Sequence, residues 1–290
     1  MRIDHLLRDG HAHLSCEVFP PKAFSGMEQA AAVSREIAAL SPAYISVTYG
    51  AAGTTAGLTL ELAQAVAASG VTPLCHLTCR QATQTQAKQL LTQLQQAGLE
   101  NVLALRGDLP QDGRAVSGDF HHAADLIRLV RASGDFCIGA ACYPEGHPES
   151  ADLSQDMDFL KAKVDAGADF LTTQMFFDNE RLYRFLERAE RWGIHVPVVA
   201  GIMPITDARM LRRTLELSGA ALPPEFLALA ARYGEDPAGM AQAGVDYAVR
   251  QMEDLLAHGV KHLHLYTMNK PWIARTVFAA LSPSIRHERL

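Results

Sequence analysis

Cysteine is sparse in this sequence, and there is no surplus of positive charge. Five cysteines, Cys16, Cys75, Cys79, Cys137 and Cys142, are thinly spread over 290 residues. An odd number at such spacing excludes a disulfide framework as the source of stability. Four of them stand in apolar runs, where a reduced thiol packs as a small hydrophobe. Lysine and arginine number 26 against 32 acidic residues, a formal net charge of −6, so no basic field is offered to nucleic acid or to an anionic membrane. No apolar run approaches the roughly 20 residues of a membrane span. The opening residues, MRIDHLLRDGHAHLS, lack the apolar core of a secretion signal, so the expected location is cytoplasmic. That expectation weighs against an adhesion role for the tripeptide Arg106-Gly107-Asp108. No long linker or low-complexity stretch divides the chain either. One domain over residues 1–290 is expected, with an elaborated helical segment around 205–258.

What is abundant is a repeated plan: a stretch of helical period, a glycine, then a short apolar run. Gly70 precedes VTPLCHL, Gly98 precedes LENVLAL, and Gly134 precedes DFCIGAACY. Gly167, Gly193 and Gly259 precede ADFLTTQ, IHVPVVAG and VKHLHLY. A glycine just past a helix caps it in the left-handed conformation and lets a strand follow. The preceding stretches, such as ATQTQAKQLLTQLQQA and DMDFLKAKVDA, read as amphipathic helices. With HLSCEVF and AYISVTYG at the front, the pattern predicts eight strands near residues 14, 44, 73, 102, 137, 170, 197 and 262. Strands alternating with helices imply parallel pairing. The count favours an α/β fold of the (β/α)8 TIM barrel type over a doubly wound open sheet.

In such a barrel the chemistry collects where strands end. The predicted ends present Glu17 (CEVFPP), Thr48 and Tyr49 (SVTYGAAGTT), His76 (LCHLTCR), and Arg106-Gly107-Asp108 (LALRGDLP). They continue with Tyr143 and His147 (CYPEGHPE), Gln174 (TTQMFFD), GIMP and LYTMNK. From position alone each has a plainer reading. Glu17 could pair with a lysine, Tyr143 and His147 could pack a loop, and Gln174 could be a core amide satisfied by backbone. Asp156 and Lys163 would by default form a solvated helix face, and His262 and His264 a strand surface. His76 beside Cys75 and Cys79 suggests a metal, but neighbours on a strand face opposite ways, so no metal site is expected there.

With these residues in view, the chain resembles methylenetetrahydrofolate reductases of the short bacterial type. EVFPPK, SVTYGAAG, CHLTC, LRGDLP, YPEGHPE, KVDAGADFLTTQMFFD and GIMP occur in the family's order and span nearly the whole length. The resemblance implies an FAD-dependent barrel oxidoreductase of one-carbon metabolism, on the route to methionine. It would reduce 5,10-methylenetetrahydrofolate to 5-methyltetrahydrofolate with NADH or NADPH, by a ping-pong route. It further implies that Glu17 is the general acid, protonating the folate nitrogen that leaves the methylene carbon. The resulting iminium takes hydride from reduced flavin. A carboxyl group suits this role where a water-poor site favours its neutral form.

By the same resemblance Asp108 lies between flavin and pterin, and Gln174 serves pterin and nicotinamide in turn. FAD contacts are implied for Thr48, Tyr49, Ala51, His76, Arg106, Gly107, Asp108, Ala123, Tyr143, His147, Asp156 and Lys163. Arg106 and Lys163 suit a diphosphate. The sequence departs from the family at Phe159 and Ala162, where polar and basic groups help hold the FAD tail, and at Ala208, near an aromatic that packs on folate. Lys270 replaces an arginine, and its cation can attract the glutamate tail of the substrate. Beyond small molecules, the expected partner is further copies of the chain as a homo-oligomer.

Two other enzyme classes compete. A metal-dependent barrel hydrolase would use the HAH pair, His11 and His13, as zinc ligands, but in that class the pair ends strand one, whereas here it precedes the predicted strand. A flavin-barrel dehydrogenase of the proline-oxidising kind shares the cofactor and lacks these motifs. A binding or adhesion module would expose the Asp108 loop, or would bind folate without turnover.

Overall fold

A computed structural model describes residues 1–49, 56–80, 82–107, 118–209, 211, 219–282 and 284–285, residue 56 by its backbone only. A short helix α1 (Ile3–Leu6) precedes the first strand, β1 (His13–Val18). Then follow α2 (Met27–Ala38), β2 (Ile45–Val47), α3 (Ala56–Ala68), β3 (Pro73–Thr78), α4 (Gln84–Gln96) and β4 (Asn101–Leu105). Next come α5 (Ala123–Ser133), β5 (Cys137–Cys142), α6 (Leu153–Asp165), β6 (Phe170–Thr173), α7 (Asn179–Arg191) and β7 (Val198–Ile202). The described part of the wide interval before β8 (His262–Tyr266) holds α8 (Pro224–Tyr233) and α9 (Pro237–Ala257), and α10 (Pro271–Leu281) follows β8. All eight strands pair in parallel, and β1 joins β8 to close the barrel.

Local chemistry explains these boundaries. Thr83 and Gln86 form a reciprocal capping box at the start of α4, and Asp152 and Asp178 accept backbone N–H groups at the starts of α6 and α7. The predicted glycine caps hold at Gly70, Gly98, Gly167, Gly193 and Gly259, all at positive φ. Gly134 is the exception, with extended backbone at φ 160°. There the Gln95 side chain donates to the carbonyl of Ser133 at 3.1 Å, satisfying the end of α5 without a left-handed turn.

Alternation along the strands separates two environments. Leu14, Cys16 and Val18 of β1, and Leu263 and Leu265 of β8, pack with the surrounding helices in the larger core. A second core fills the lower barrel interior: Tyr44, Leu74, Leu103, Cys137, Phe170 and Val199, closed from below by Ile3, Leu6 and Leu7 around α1. Asn101 ties that plug in place, accepting from the Ile3 N–H at 2.9 Å and donating to the Met1 carbonyl at 3.0 Å. Above this apolar floor the interior turns polar.

Candidate active site at the barrel mouth

Register builds the centre of the site. Glu17 on β1 lies opposite Ser46 on β2 and Tyr266 on β8, while Ser15 lies opposite His264. All belong to the set that faces the barrel axis. Oε2 of Glu17 is 3.5 Å from Ser46 Oγ, 3.8 Å from His76 Nε2 and 3.9 Å from His264 Nε2. Ser15 Oγ donates to the carbonyl of Leu263 at 3.1 Å and lies 2.7 Å from His264 Nδ1. A hydroxyl has one hydrogen, so His264 donates from Nδ1 and presents the lone pair of Nε2 upward. Ser46 Oγ reaches that nitrogen at 3.3 Å, so one mobile hydroxyl proton links the imidazole to the carboxylate. Tyr266 stays protonated, because burial and then the Glu17 charge hold its phenol well above the usual range, and it donates to the Thr173 carbonyl at 2.8 Å.

His76 is buried, and its Nε2 has no hydrogen-bond partner. Burial pushes its pKa down to about 4; the Glu17 charge pulls the other way, and His264 opposes protonation. His262, at the base of β8, is likewise pushed down to about 4 by burial and then by His13. These two rings make stability fall with acid. The unfolded chain binds protons on both from about pH 6.5 downward, whereas the folded chain resists them until about pH 4. The loss across that window is at most about 3.5 kcal/mol per histidine, at roughly 1.4 kcal/mol per pH unit. The urea midpoint is expected to be level above pH 7 and to drop toward pH 4.5, with a shallower drop in His76→Gln. An unchanged slope in that variant would contradict the assignment.

Further out, Arg106 and the loop after β5 form a charged rim. Arg106 engages Glu149 in a two-pronged ion pair at 2.9 and 2.6 Å, and Tyr143 meets His147 edge-on with ring centroids 4.6 Å apart. Gly107 closes β4 at φ +87°, and a Cβ there would come within 3.1 Å of Thr78. Lys163 and Asp156 share one face of α6, as their spacing suggests, but that face is not a freely solvated one: Asp156 is buried and Lys163 partly so. Lys163 Nζ donates to the Ala141 carbonyl at 2.9 Å, its pKa lowered chiefly by burial, and Asp156 accepts from Ser150 Oγ at 3.1 Å. Thr48 bonds to β1 through its N–H and the Val18 carbonyl at 3.0 Å, while burial raises the phenol pKa of its neighbour Tyr49.

Ala123 is buried as the first residue of α5. Gln174 turns its side-chain oxygen back to the Met175 N–H at 2.9 Å, which leaves its NH2 for donation. Lys270 reaches Thr206 Oγ1 at 3.1 Å. Phe159, at one of the sequence departures, is partly exposed and stacks on His122 at 5.1 Å. Ala208 packs at the edge of a cluster formed by Phe177, Phe226 and Tyr247. Ala51 and Asp108 fall outside the described residues.

Two expectations need correction. His264 is an interior residue within reach of Glu17, not a strand surface; both faces of a parallel barrel strand are covered, so alternation with leucine does not mark a solvated side. His13 belongs to β1 and does not precede it; its ring lies at the base of the barrel, 3.0 Å from Asp9 and stacked on His262 at 5.8 Å. The HAH pair is thus at the end remote from Glu17. Among the described residues no cluster of three or more histidine, cysteine or acidic side chains is arranged to hold a metal ion. Sequence reading also missed Ser46, Arg80 and Glu149, which enter the site through tertiary pairing. The one available signal was parity: Ser15 and Glu17, like His264 and Tyr266, are two apart on a strand.

A family model described as methylenetetrahydrofolate reductase matches residues 2–282. The 5,10-methylenetetrahydrofolate reductase of Pectobacterium carotovorum subsp. carotovorum is 34% identical over 264 residues, covering 90% of this chain and 87% of that one. The methylenetetrahydrofolate reductase (NADH) 1 of Arabidopsis thaliana is 34% identical over 283 residues, covering 92% of this chain and 48% of the plant protein. The chain spans about half the length of the plant and yeast relatives it matches. Among solved structures, an uncharacterized protein from Clostridium thermocellum that binds two copies of 5-methyl-5,6,7,8-tetrahydrofolic acid has a TM-score of 0.63 at 13% identity. That match covers 96% of this chain and 99% of the other, a likeness of fold.

Proposed function

Because the chain belongs to the methylenetetrahydrofolate reductase family, we propose that it reduces 5,10-methylenetetrahydrofolate to 5-methyltetrahydrofolate, with FAD as cofactor and a reduced nicotinamide nucleotide as electron donor. One observation carries the reading: the Glu17 carboxylate stands over the polar layer of the barrel interior, faced by two imidazole nitrogens and a serine hydroxyl. That is an arrangement for holding and delivering one proton.

The residues present suit FAD. The unpartnered, buried Nε2 of His76 asks for a polar ligand atom. Arg106 and Arg80 offer guanidinium groups for a diphosphate, and Gly107 lets backbone come close. Thr48, Tyr49, Ala51, Ala123, Tyr143, His147, Asp156 and Lys163 would complete the contacts, with Asp108 at the β4 end. When bound, the flavin supplies two-electron carriage between nucleotide and folate.

The chain's own task is proton and position. Glu17 gives its proton to the folate nitrogen that parts from the methylene carbon, and Ser46 with His264 steadies the carboxyl group through that change. Gln174 donates its NH2 to pterin and nicotinamide in turn, and Lys270 attracts the glutamate tail. NADH is the nucleotide we favour, as in the name of the plant relative. Five free, buried cysteines suit the reducing conditions of the cytoplasm.

Steady-state turnover tests the proposal. NADH or NADPH oxidation is expected to require both added FAD and methylenetetrahydrofolate, with 5-methyltetrahydrofolate as product. Oxidation independent of folate, with no methyl product, would contradict it.

A further inference from the structure

Among the described residues, cationic donors crowd around the Glu149 carboxylate beside Arg106. Nη1 and Nη2 of Arg106 both donate to the Glu149 carboxylate, at 2.9 and 2.6 Å, and Arg80 Nη1 stands 3.7 Å from the same Oε1. Arg106 Nη2 also lies 3.2 Å from Nε2 of His147, while Nδ1 of that ring faces the Glu149 N–H at 3.0 Å. A neutral imidazole has one lone pair. If Nδ1 accepts from Glu149, then Nε2 carries hydrogen and points at a guanidinium donor. If Nε2 accepts, the Glu149 N–H loses its partner. Burial and then the Arg106 charge disfavour protonation of the ring, so the conflict stands in either tautomer. Arg106 is thus forked onto one carboxylate while its Nη2 also meets an imidazole that cannot satisfy both of its neighbours, and Arg80, which donates to the Gly107 carbonyl at 3.4 Å, stands within ion-pair range of the same carboxylate.

That carboxylate is the least fixed member of the cluster. The Glu149 side chain is 44% exposed, against 25% for Arg106 and 15% for Arg80. It sits on the loop between β5 and α6, so side-chain rotation alone can carry it into solvent. A carboxylate forked onto arginine has the geometry that a phosphate oxygen pair adopts.

We propose that Glu149 is a displaceable counter-ion: its carboxylate occupies the place on Arg106 and Arg80 that the diphosphate of the cofactor takes, and it swings out when that group binds. The inference rests on the FAD reading above and adds a residue that sets affinity. Breaking the Glu149–Arg106 pair opposes binding of phosphate-bearing flavin and leaves binding of the bare isoalloxazine untouched.

Flavin fluorescence titrations of wild type, Glu149→Gln and Glu149→Ala with FAD and with riboflavin test this. Both variants are expected to bind FAD roughly tenfold more tightly than wild type, the size of one charge-assisted contact released. Riboflavin, which has no phosphate, is expected to bind all three equally. Weaker FAD binding in both variants would make Glu149 a positioning residue for Arg106 and overturn the proposal. Unchanged FAD affinity, or equal tightening for FAD and riboflavin, would overturn it as well. Failure of wild type and variants to bind either flavin would instead overturn the cofactor reading, and this inference with it.

Discussion

Glu17→Gln is expected to lose folate reduction by about 10²–10⁴-fold while flavin reduction by NADH proceeds at the wild-type rate. Glutamine keeps the shape and the contacts to Ser46, His76 and His264 within 3.5–3.9 Å, but has no acidic proton to give the folate nitrogen. The nucleotide half-reaction needs no such proton, so the two halves separate. Stopped-flow absorbance under anaerobic conditions reads each one. Survival of both half-reactions at normal rates would remove Glu17 from the role of acid. Loss of both would make it a binding residue.

The second large effect lies in the floor beneath the site. Phe170 is fully buried inside the barrel, and Phe170→Ala is expected to cost about 3–5 kcal/mol, read as a lower urea midpoint. Its ring fills space that Gly139 on the neighbouring strand leaves open. A Cβ at Gly139 would stand 2.5 Å from the Phe170 ring and 2.8 Å from Leu103 Cδ1. Gly139→Ala is therefore expected to destabilise by about 1–3 kcal/mol through overpacking. Phe170→Leu in that background should recover part of the loss, because the smaller side chain makes room. Strictly additive effects would show that the two residues do not compete for the same volume.

Much of this architecture was legible because each helix–glycine–strand unit is a local signal. The predicted strand near 102 is β4 at Asn101–Leu105, and the one near 137 is β5 at Cys137–Cys142. Gly134 departed from its expected cap because Gln95, on the preceding helix, satisfies the end of α5 from outside the local segment. The position of Glu17 at a strand end was readable; its surroundings were not. Ser46 and His264 reach it only through pairing of β1 with β2 and β8, which joins residues 29 and 247 positions away. HLHLY gave no sign of which side faces inward, since leucines cover the helix side and histidines the axis. Glu149 escaped notice for a similar reason: its partner Arg106 lies 43 residues earlier, and the two meet only when neighbouring loops converge at the mouth.

The most direct test of the central claim is the anaerobic visible spectrum of the purified protein supplied with FAD, then NADH, then methylenetetrahydrofolate. The account predicts a protein-bound flavin band that bleaches with the nucleotide and returns with the folate, establishing both half-reactions in one cuvette. A protein that leaves FAD free in solution, or a bleached flavin that methylenetetrahydrofolate does not reoxidise, would contradict it.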